Sequence, residues 1–150
     1  MFGTRKGQGA TEYLVLLAVV LIIALVSIAL LGFFPGLAGD ARQTQSDSYW
    51  RGEARPFQIL EHRCTGTNLT LVMLNSEADK RIIGNMTVGE NVTAVTKTFT
   101  GGERKTVSVT APCGATGEGY EFEVAISYTT AAIGSPQNQV GTKPLIGKAA

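Results

Sequence analysis

The pattern of apolar and polar positions divides the chain into two parts with different periodicities. Residues 13–34 carry no charged side chain and are apolar on every face of a helix, which is typical of a segment surrounded by lipid or by other helices. A helix of this length extends about 33 Å, enough to cross a hydrocarbon core of about 30 Å. The pattern therefore predicts one membrane-spanning helix near the N-terminus.

The chain becomes more polar after Phe34, and Pro35 comes first. Proline removes a helical hydrogen bond, so we expect a kink near Pro35, followed by a more polar helix that ends near Gly52. This divides the chain into an N-terminal helix over residues 8–52 and a second domain over residues 53–150.

The second domain has the alternation of β-strands. Strand-forming residues are concentrated in the runs 68–74, 86–88, 91–99, 106–110 and 120–128. Gly101-Gly102 predicts a hairpin turn between two of these runs, and residues 144–146 predict an edge strand. Short strands with no helices between them favour a small antiparallel β-sandwich-like domain. The predicted fold class is therefore α+β: a long apolar N-terminal helix followed by a β-rich head.

Charged residues at the start of the apolar segment indicate its orientation. Arg5-Lys6 precedes the segment, which predicts a cytoplasmic N-terminus and an exported remainder. Glu12 lies at the edge of the segment, where a carboxylate costs a few kcal/mol and suggests a function. Gly7 and Gly9 flank Gln8 and predict locally extended chain, because glycine is a poor helix former.

These features together resemble the class III signal peptide of archaeal type IV pilins. The shared features are the basic pair Arg5-Lys6, Gly7 followed by Gln8, Glu12 four residues later, and the apolar segment behind them. The resemblance implies that a membrane-embedded prepilin peptidase cuts between Gly7 and Gln8. Residues 1–7 would then be a leader that is removed, and the apolar helix would stay on the mature chain.

The resemblance also implies a function and a set of partners. The chain would be a structural subunit of an adhesion filament on the cell surface, polymerising through its helix with the head facing outward. It would be a single-pass membrane protein before assembly, and an assembly ATPase and a platform protein would be needed. In related pilins the glutamate at this position contacts the free N-terminal amine of a neighbouring subunit. The resemblance therefore implies that Glu12 contacts the amine of Gln8 in a neighbouring copy. Archaellins share this plan, but the Gln8 and Glu12 pair is more similar to adhesion pili.

Three other interpretations remain open at this point. Gly36-Leu37-Ala38 could be the cleavage site of a removable secretory signal, although the apolar run is long for one. The helix could instead be a plain anchor for a surface binding protein that does not polymerise. Within the resembled family, the chain could be a minor pilin or an archaellin-like subunit.

The only two cysteines, Cys64 and Cys113, lie in the part predicted to be exported. An even number in that setting favours a disulfide, with two buried free thiols as the alternative. Together with the single His62 they leave a tetrahedral zinc site one ligand short, so no metal is expected. Asn-x-Thr triplets begin at Asn68, Asn85 and Asn91, and each is a predicted N-glycosylation site in an exported chain.

Composition and the remaining polar residues favour neither an enzyme nor a nucleic-acid binder. The net charge is +1 and no basic patch is present, so no nucleic-acid partner is expected. No motif for a nucleophile or a phosphate loop occurs, and no cofactor is expected. Glu121 and Glu123 are predicted on the solvated face of one strand. His62, between Glu61 and Arg63, is predicted to belong to a charge cluster on the surface.

Overall fold

The computed structural model describes the backbone of residues 4–150 and the side chains of residues 8–31 and 38–150. Residues 1–41 and 42–150 form two compact units, and each is described by itself. We call the second unit the head. A helix α1 (Thr4–Ser48) runs through the first unit and ends in the second, where a π-helical turn (Tyr49–Glu53) follows it.

Helix α1 begins before the predicted start of the mature chain. Because it begins at Thr4, Gln8 and Gly9 are helical, and the prediction of extended chain around Gln8 is wrong. Each glycine costs only about 1 kcal/mol in a helix, which a long run of strong helix formers outweighs. Helix α1 continues through Pro35 without interruption, and the kink expected there stays a prediction.

The head contains nine strands among its described residues, in three antiparallel sheets. The prediction of an α+β chain with antiparallel sheets after an apolar helix is confirmed. The sheet orders are β1-β2-β5, β4-β3-β7-β8 and β6-β9. The strands are β1 (Phe57–Thr65), β2 (Asn68–Asn75), β3 (Arg81–Val88), β4 (Asn91–Phe99), β5 (Arg104–Thr110), β6 (Gly119–Phe122), β7 (Val124–Thr130), β8 (Gln137–Val140) and β9 (Leu145–Lys148).

Two short turns fix the pairing of the first four strands. Gly66 and Gly89 each begin a two-residue connection and have φ angles of +62° and +60°. A positive φ at the first central position is what a tight hairpin of the II′ kind requires, and glycine adopts it without strain. The turns therefore pair β1 with β2 and β3 with β4.

The predicted hairpin at Gly101-Gly102 is wrong in its strand pairing. A turn is present, since the Glu103 N–H donates to the Thr100 carbonyl at 3.2 Å. However, β4 pairs with β3 and β5 pairs with β2, so the chain changes sheets at this turn. The ammonium groups of Lys97 and Lys105 donate across the seam between β4 and β5, in place of a backbone ladder.

The run at residues 120–128 also forms two strands instead of one. Glu123 separates β6 from β7, and its carbonyl accepts a hydrogen bond from the Gly89 N–H at 2.8 Å. The strand expected at residues 144–146 is β9, which pairs with β6. A further strand, β8, lies at the edge of the four-stranded sheet.

The core of the head lies between the two larger sheets. Phe57 of β1 contacts Phe99 of β4 and Tyr128 of β7 with edge-on ring geometry, at centroid distances of 5.4 and 5.6 Å. The buried Gln139 side chain joins the sheets as well, because its amide exchanges two hydrogen bonds with the Phe57 backbone. Other fully buried core residues are Ile59, Leu69, Leu71, Met73, Ile83, Met86, Val88, Ile126 and Leu145.

The predicted disulfide between Cys64 and Cys113 is present. It joins the end of β1 to the segment after β5, with a Cα–Cα distance of 5.4 Å, and both sulfur-bearing residues are buried. The Ala150 N–H donates to the Cys64 carbonyl at 2.8 Å, so the end of the chain is held beside the bridge.

We expect the paired substitution Cys64→Ala and Cys113→Ala to lower the free energy of unfolding. The bridge closes a loop of 49 residues, and loop-closure entropy alone gives about 4 kcal/mol, an upper-end value. Denaturant unfolding of the full chain in detergent measures the difference. A reductant should destabilise the parent protein and leave the paired variant unchanged. Equal stability of the two proteins without reductant would contradict the prediction.

Candidate assembly helix and the polar cluster of the head

The first half of α1 presents an uncovered apolar surface. The most apolar 18-residue window within Gln8–Leu31 has a mean hydropathy of 3.4, and by length and composition the span suffices to cross a membrane. None of the described side chains in this span is buried, and fifteen large hydrophobic residues from Tyr13 to Leu31 are 42–67% exposed. Such a surface is stable only against lipid or against other apolar surfaces.

Glu12 is the one charged side chain of this span. Gln8 and Glu12 are four residues apart on α1, so their side chains are neighbours on one helix face, and both residues are exposed. No hydrogen bond or ion pair reaches the Glu12 carboxylate from the described residues. Gly7, the other residue of the predicted cleavage site, lies within α1, and its surroundings are outside the described side chains. In an apolar environment an ionised carboxylate requires a hydrogen-bonding or charged partner. Glu12 is therefore the residue of this span for which a partner is expected.

The hydroxyl group of Ser27, within the apolar run, already has a hydrogen-bond partner. Ser27 donates to the Ile23 carbonyl at 2.7 Å, one turn earlier in the helix. This internal bond removes the cost of placing a hydroxyl in an apolar environment. Among the described residues beyond Tyr13, the span therefore needs only apolar contacts.

A polar cluster of Asp47, His62 and Tyr120 joins the end of α1 to the sheets of the head. His62 Nδ1 lies 2.5 Å from the Tyr120 hydroxyl, and His62 Nε2 lies 3.4 Å from Asp47 Oδ1. The His62 side chain is only 11% exposed, so its predicted place in a surface charge cluster is wrong. Glu61 and Arg63 are exposed as expected, but the alternation of β1 directs His62 to the opposite face, towards α1 and β6.

The protonation of Tyr120 orders this cluster. Burial, and then the charge of Asp47, raise the pKa of Tyr120 to about 12, so its phenol is protonated at neutral pH. In the arrangement in which the phenol donates to Nδ1 of His62, Nε2 carries a ring proton and donates to Asp47. In this arrangement each hydrogen-bond donor among Tyr120, His62 and Asp47 faces an acceptor.

Two further contacts hold the last turns of α1. Arg42 donates to Glu121 at 2.6 Å, so this carboxylate is exposed as predicted but also forms an ion pair that the strand pattern did not indicate. The buried Ser46 hydroxyl donates to the Pro144 carbonyl at 2.7 Å and accepts from the Ile146 N–H at 3.1 Å. Glu123 is exposed, as predicted.

Aromatic packing completes the junction after α1. Trp50 of the π-helical turn is 1% exposed and its ring fills the space above Gly141. A Cβ atom at Gly141 would lie 2.4 Å from Cζ2 of Trp50, so a side chain at that position would displace the indole. The Tyr49 hydroxyl accepts from the Thr142 N–H at 3.1 Å. The π-helical turn is thus held both by the apolar packing of Trp50 and by the hydrogen bond of Tyr49.

Two of the three Asn-x-Thr asparagines are the first residue of a strand, and the third lies within a strand. Asn68 starts β2 and is exposed, Asn85 lies in β3 beside a register irregularity and is exposed, and Asn91 starts β4 and is half-buried. Their use as glycosylation sites stays a prediction.

The polar cluster was missed because its members lie far apart in sequence. One feature of the sequence, however, indicates that His62 faces inward. His62 and Cys64 lie two residues apart on β1 and therefore on the same face. Since a disulfide-bonded Cys64 is buried, His62 was to be expected on the inner side as well.

Comparisons of the chain with protein-family models and with curated proteins find no match.

Substituting Gly147→Ala should open the polar cluster. A Cβ atom at Gly147 would lie 2.4 Å from the Tyr120 hydroxyl oxygen and 2.9 Å from Cε1 of His62, so both rings must move. We expect a loss of about 1–3 kcal/mol in the free energy of unfolding, the usual cost of overpacking. Gly84→Ala is the matched control, because its Cβ would meet only an ordinary contact at 3.8 Å. Equal stability of the two variants would refute the close packing.

The raised pKa of Tyr120 predicts an alkaline transition. The folded pKa of about 12 lies above the usual value of 10, so the stabilisation is complete below pH 10 and is lost as the pH rises towards 12. Ultraviolet absorbance of tyrosinate during a pH titration measures this, and Tyr120→Phe should remove a component that titrates near pH 12. Removal of a component near pH 10 instead would contradict the assignment.

Proposed function

We propose that the chain is a structural subunit of a cell-surface filament of the archaeal type IV pilus kind. The observation that carries the proposal is the apolar surface of Gln8–Leu31, whose described side chains are all exposed and whose one charge is Glu12. The subunit polymerises through this helix, and the head faces outward from the filament.

The same helix serves two environments in this proposal. Before assembly, the bilayer surrounds it on all faces, and α1 is the single membrane span of the precursor. During assembly, contacts with lipid are exchanged for contacts with the helices of other copies, which are equally apolar. The exchange removes no backbone hydrogen bond, because those of an α-helix are internal.

Cleavage between Gly7 and Gln8 prepares the helix for this exchange. It removes Arg5-Lys6, whose charges resist transfer out of the cytoplasmic face, and creates a positively charged amine on Gln8. That amine is a partner for the carboxylate of Glu12 in a neighbouring copy. Gln8 and Glu12 are separated along the helix axis by about 6 Å. A neighbour displaced axially by that distance brings its amine level with Glu12.

The required partners follow from this sequence of events. They are further copies of the chain, the membrane before assembly, a prepilin peptidase, an assembly ATPase and a platform protein. The disulfide between Cys64 and Cys113 supports a location outside the cytoplasm, where such bonds persist. Glycans on Asn68, Asn85 and Asn91 would then cover the outer surface of the filament.

Substitution Glu12→Gln tests the pairing in cells that contain the assembly machinery. We expect normal membrane insertion and a loss of filaments of more than about tenfold, because an unpaired buried amine remains in each interface. Glu90→Gln is the matched control, since that carboxylate lies on the exposed turn between β3 and β4. Sheared surface fibres are quantified by electron microscopy and immunoblotting.

The outcomes separate the candidate functions. Filaments at normal yield from the Glu12→Gln variant would overturn the pairing. If the parent chain forms no fibres and stays dispersed in the membrane, the protein is instead a tethered binding protein. Fibres that contain the chain only in trace amounts would indicate a minor pilin.

A further inference from the structure

The outer face of the four-stranded sheet carries no charged side chain along the regular parts of its strands. Because side chains alternate across a strand, the outward residues of β7 are Ala125, Ser127 and Thr129, and those of β8 are Asn138 and Val140. The outward positions of β3 and β4 are likewise apolar residues, threonine or glycine. We call the surface formed by the outward residues of β3, β4, β7 and β8 the uncharged face.

The lack of charge is specific to this sheet. The outer face of the three-stranded sheet carries Glu61 and Arg63 on β1 and Arg104 on β5, all exposed. Lys97, in the irregular part of β4, is turned away from the uncharged face, because its ammonium donates to the Thr106 carbonyl on β5. Depletion of charge is characteristic of the core of a protein–protein interface.

The exposed large hydrophobic residues of the head lie on the same surface. Among the described residues of the head they are Ile82, Val92, Ile133 and Val140, and each is 40–67% exposed. Ile82, Val92 and Val140 are outward residues of the uncharged face, and Ile133 lies in the turn between β7 and β8. Exposed apolar surface that is concentrated on one face indicates an interaction site.

Opposite charges lie at the two ends of the uncharged face. Lys80 precedes β3 and lines a cavity with the outward residue Ile82 at one end. Glu123 precedes β7, and Glu90 lies in the turn after β3, so both are at the other end, because β3 and β7 are antiparallel. Lys80, Glu90 and Glu123 are exposed, and no ion pair joins them to the described residues.

Two further charged residues near these ends do not cancel the pattern. Asp79 lies beside Lys80 but at the next position of the chain, outside the alternation that Lys80 shares with Ile82. Lys143, which follows β8, lines a groove with Ser46 and Pro144 instead. The uncharged face therefore has one basic end and one acidic end.

We propose that the uncharged faces of two copies of the chain pack against each other with their strands antiparallel. In this arrangement the Lys80 end of each copy lies over the end of the other copy that carries Glu90 and Glu123. The same contact then forms twice about a two-fold axis. Parallel stacking would place like charges over each other, so the charges at the ends select the antiparallel arrangement.

The size of the face makes this pairing weak for isolated heads. Four strands about 4.8 Å apart and seven residues long form a face of roughly 19 by 23 Å. Two such faces bury about 900 Å² together, less than the about 1,600 Å² of a standard interface. Pairing becomes substantial where another contact holds the copies at about millimolar effective concentration. In the proposed filament the apolar helix supplies that contact, and only this last step rests on the proposed function.

A glycan on Asn85 would cover the same face. Asn85 is exposed beside the register irregularity of β3, so this modification and the pairing exclude each other. The pairing therefore belongs to copies whose Asn85 is unmodified. For this reason the experiment uses the full chain made in a bacterium that adds no N-glycans.

Cross-linking of the full chain in detergent micelles tests the pairing. Ser127→Cys places a thiol in the middle of the uncharged face, and Thr106→Cys on the outer face of the other sheet is the matched control. A short bismaleimide joins free thiols and leaves the bridge between Cys64 and Cys113 intact. Each rate is divided by the rate of labelling with a single maleimide, which corrects for exposure. We expect Ser127→Cys to cross-link about fivefold faster or more.

Reversal of charge tests the antiparallel arrangement. In the Ser127→Cys chain at low salt, Lys80→Glu should slow the cross-linking about threefold or more, because attraction becomes repulsion. Adding Glu123→Lys to the same chain should restore most of the rate. Lys148→Glu is the matched control, since Lys148 is an exposed lysine on β9, and it should leave the rate unchanged. Circular dichroism on each variant checks that the fold is kept.

Three results would overturn the proposal. Equal corrected rates for Ser127→Cys and Thr106→Cys would leave the uncharged face to a glycan on Asn85. A rate that Lys80→Glu does not change, or that Glu123→Lys does not restore, would exclude the antiparallel pairing. None of these results bears on filament formation, because the chains are dispersed in detergent and the Glu12→Gln variant tests assembly separately.

Discussion

The apolar surface of Gln8–Leu31 is the constraint on which the rest of the molecule depends. Burying one large aliphatic side chain contributes about 1.5–3 kcal/mol. Fourteen such residues and Tyr13 are exposed on this helix, so covering them is worth tens of kcal/mol. A whole domain is stable by only about 5–15 kcal/mol. The helix must therefore lie in lipid or among other helices, and both environments appear in the proposed filament at different times.

In the proposed filament the head meets a different requirement, because it folds outside the membrane on the same chain as this helix. Its two larger sheets share an apolar core, and the disulfide holds the chain end near Cys64. The end of α1 is joined to this core by directional contacts at Arg42, Ser46 and Asp47. Polar contacts of this kind fix the geometry of a junction more strictly than apolar packing does.

Local signals in the sequence were sufficient for the apolar helix, for most of the strands and for the disulfide. The length and composition of residues 13–34 predicted the apolar helix, and two cysteines in a β-rich domain predicted the bridge between Cys64 and Cys113.

Strand pairing was not predictable in the same way. The Gly101-Gly102 turn looks like a hairpin locally, but the turn at Gly89 had already given β4 another partner. Likewise Glu123 divides one alternating run between two sheets, because the pairing partners of β6 and β7 lie elsewhere in the chain. The polar cluster joins His62 to Asp47, 15 positions away, and to Tyr120, 58 positions away. The alternation of β1 indicates that His62 faces inward, but not which residues it contacts.

Sheared surface fibres provide the most direct test of the central claim, that the apolar helix stays on the mature chain and is covered by its own copies. Intact mass and N-terminal sequencing of the chain from those fibres determine where it begins. We predict a first residue at Gln8 with a free amine and the apolar helix attached to the head. A chain that begins near Gly39, with the helix removed, would contradict it.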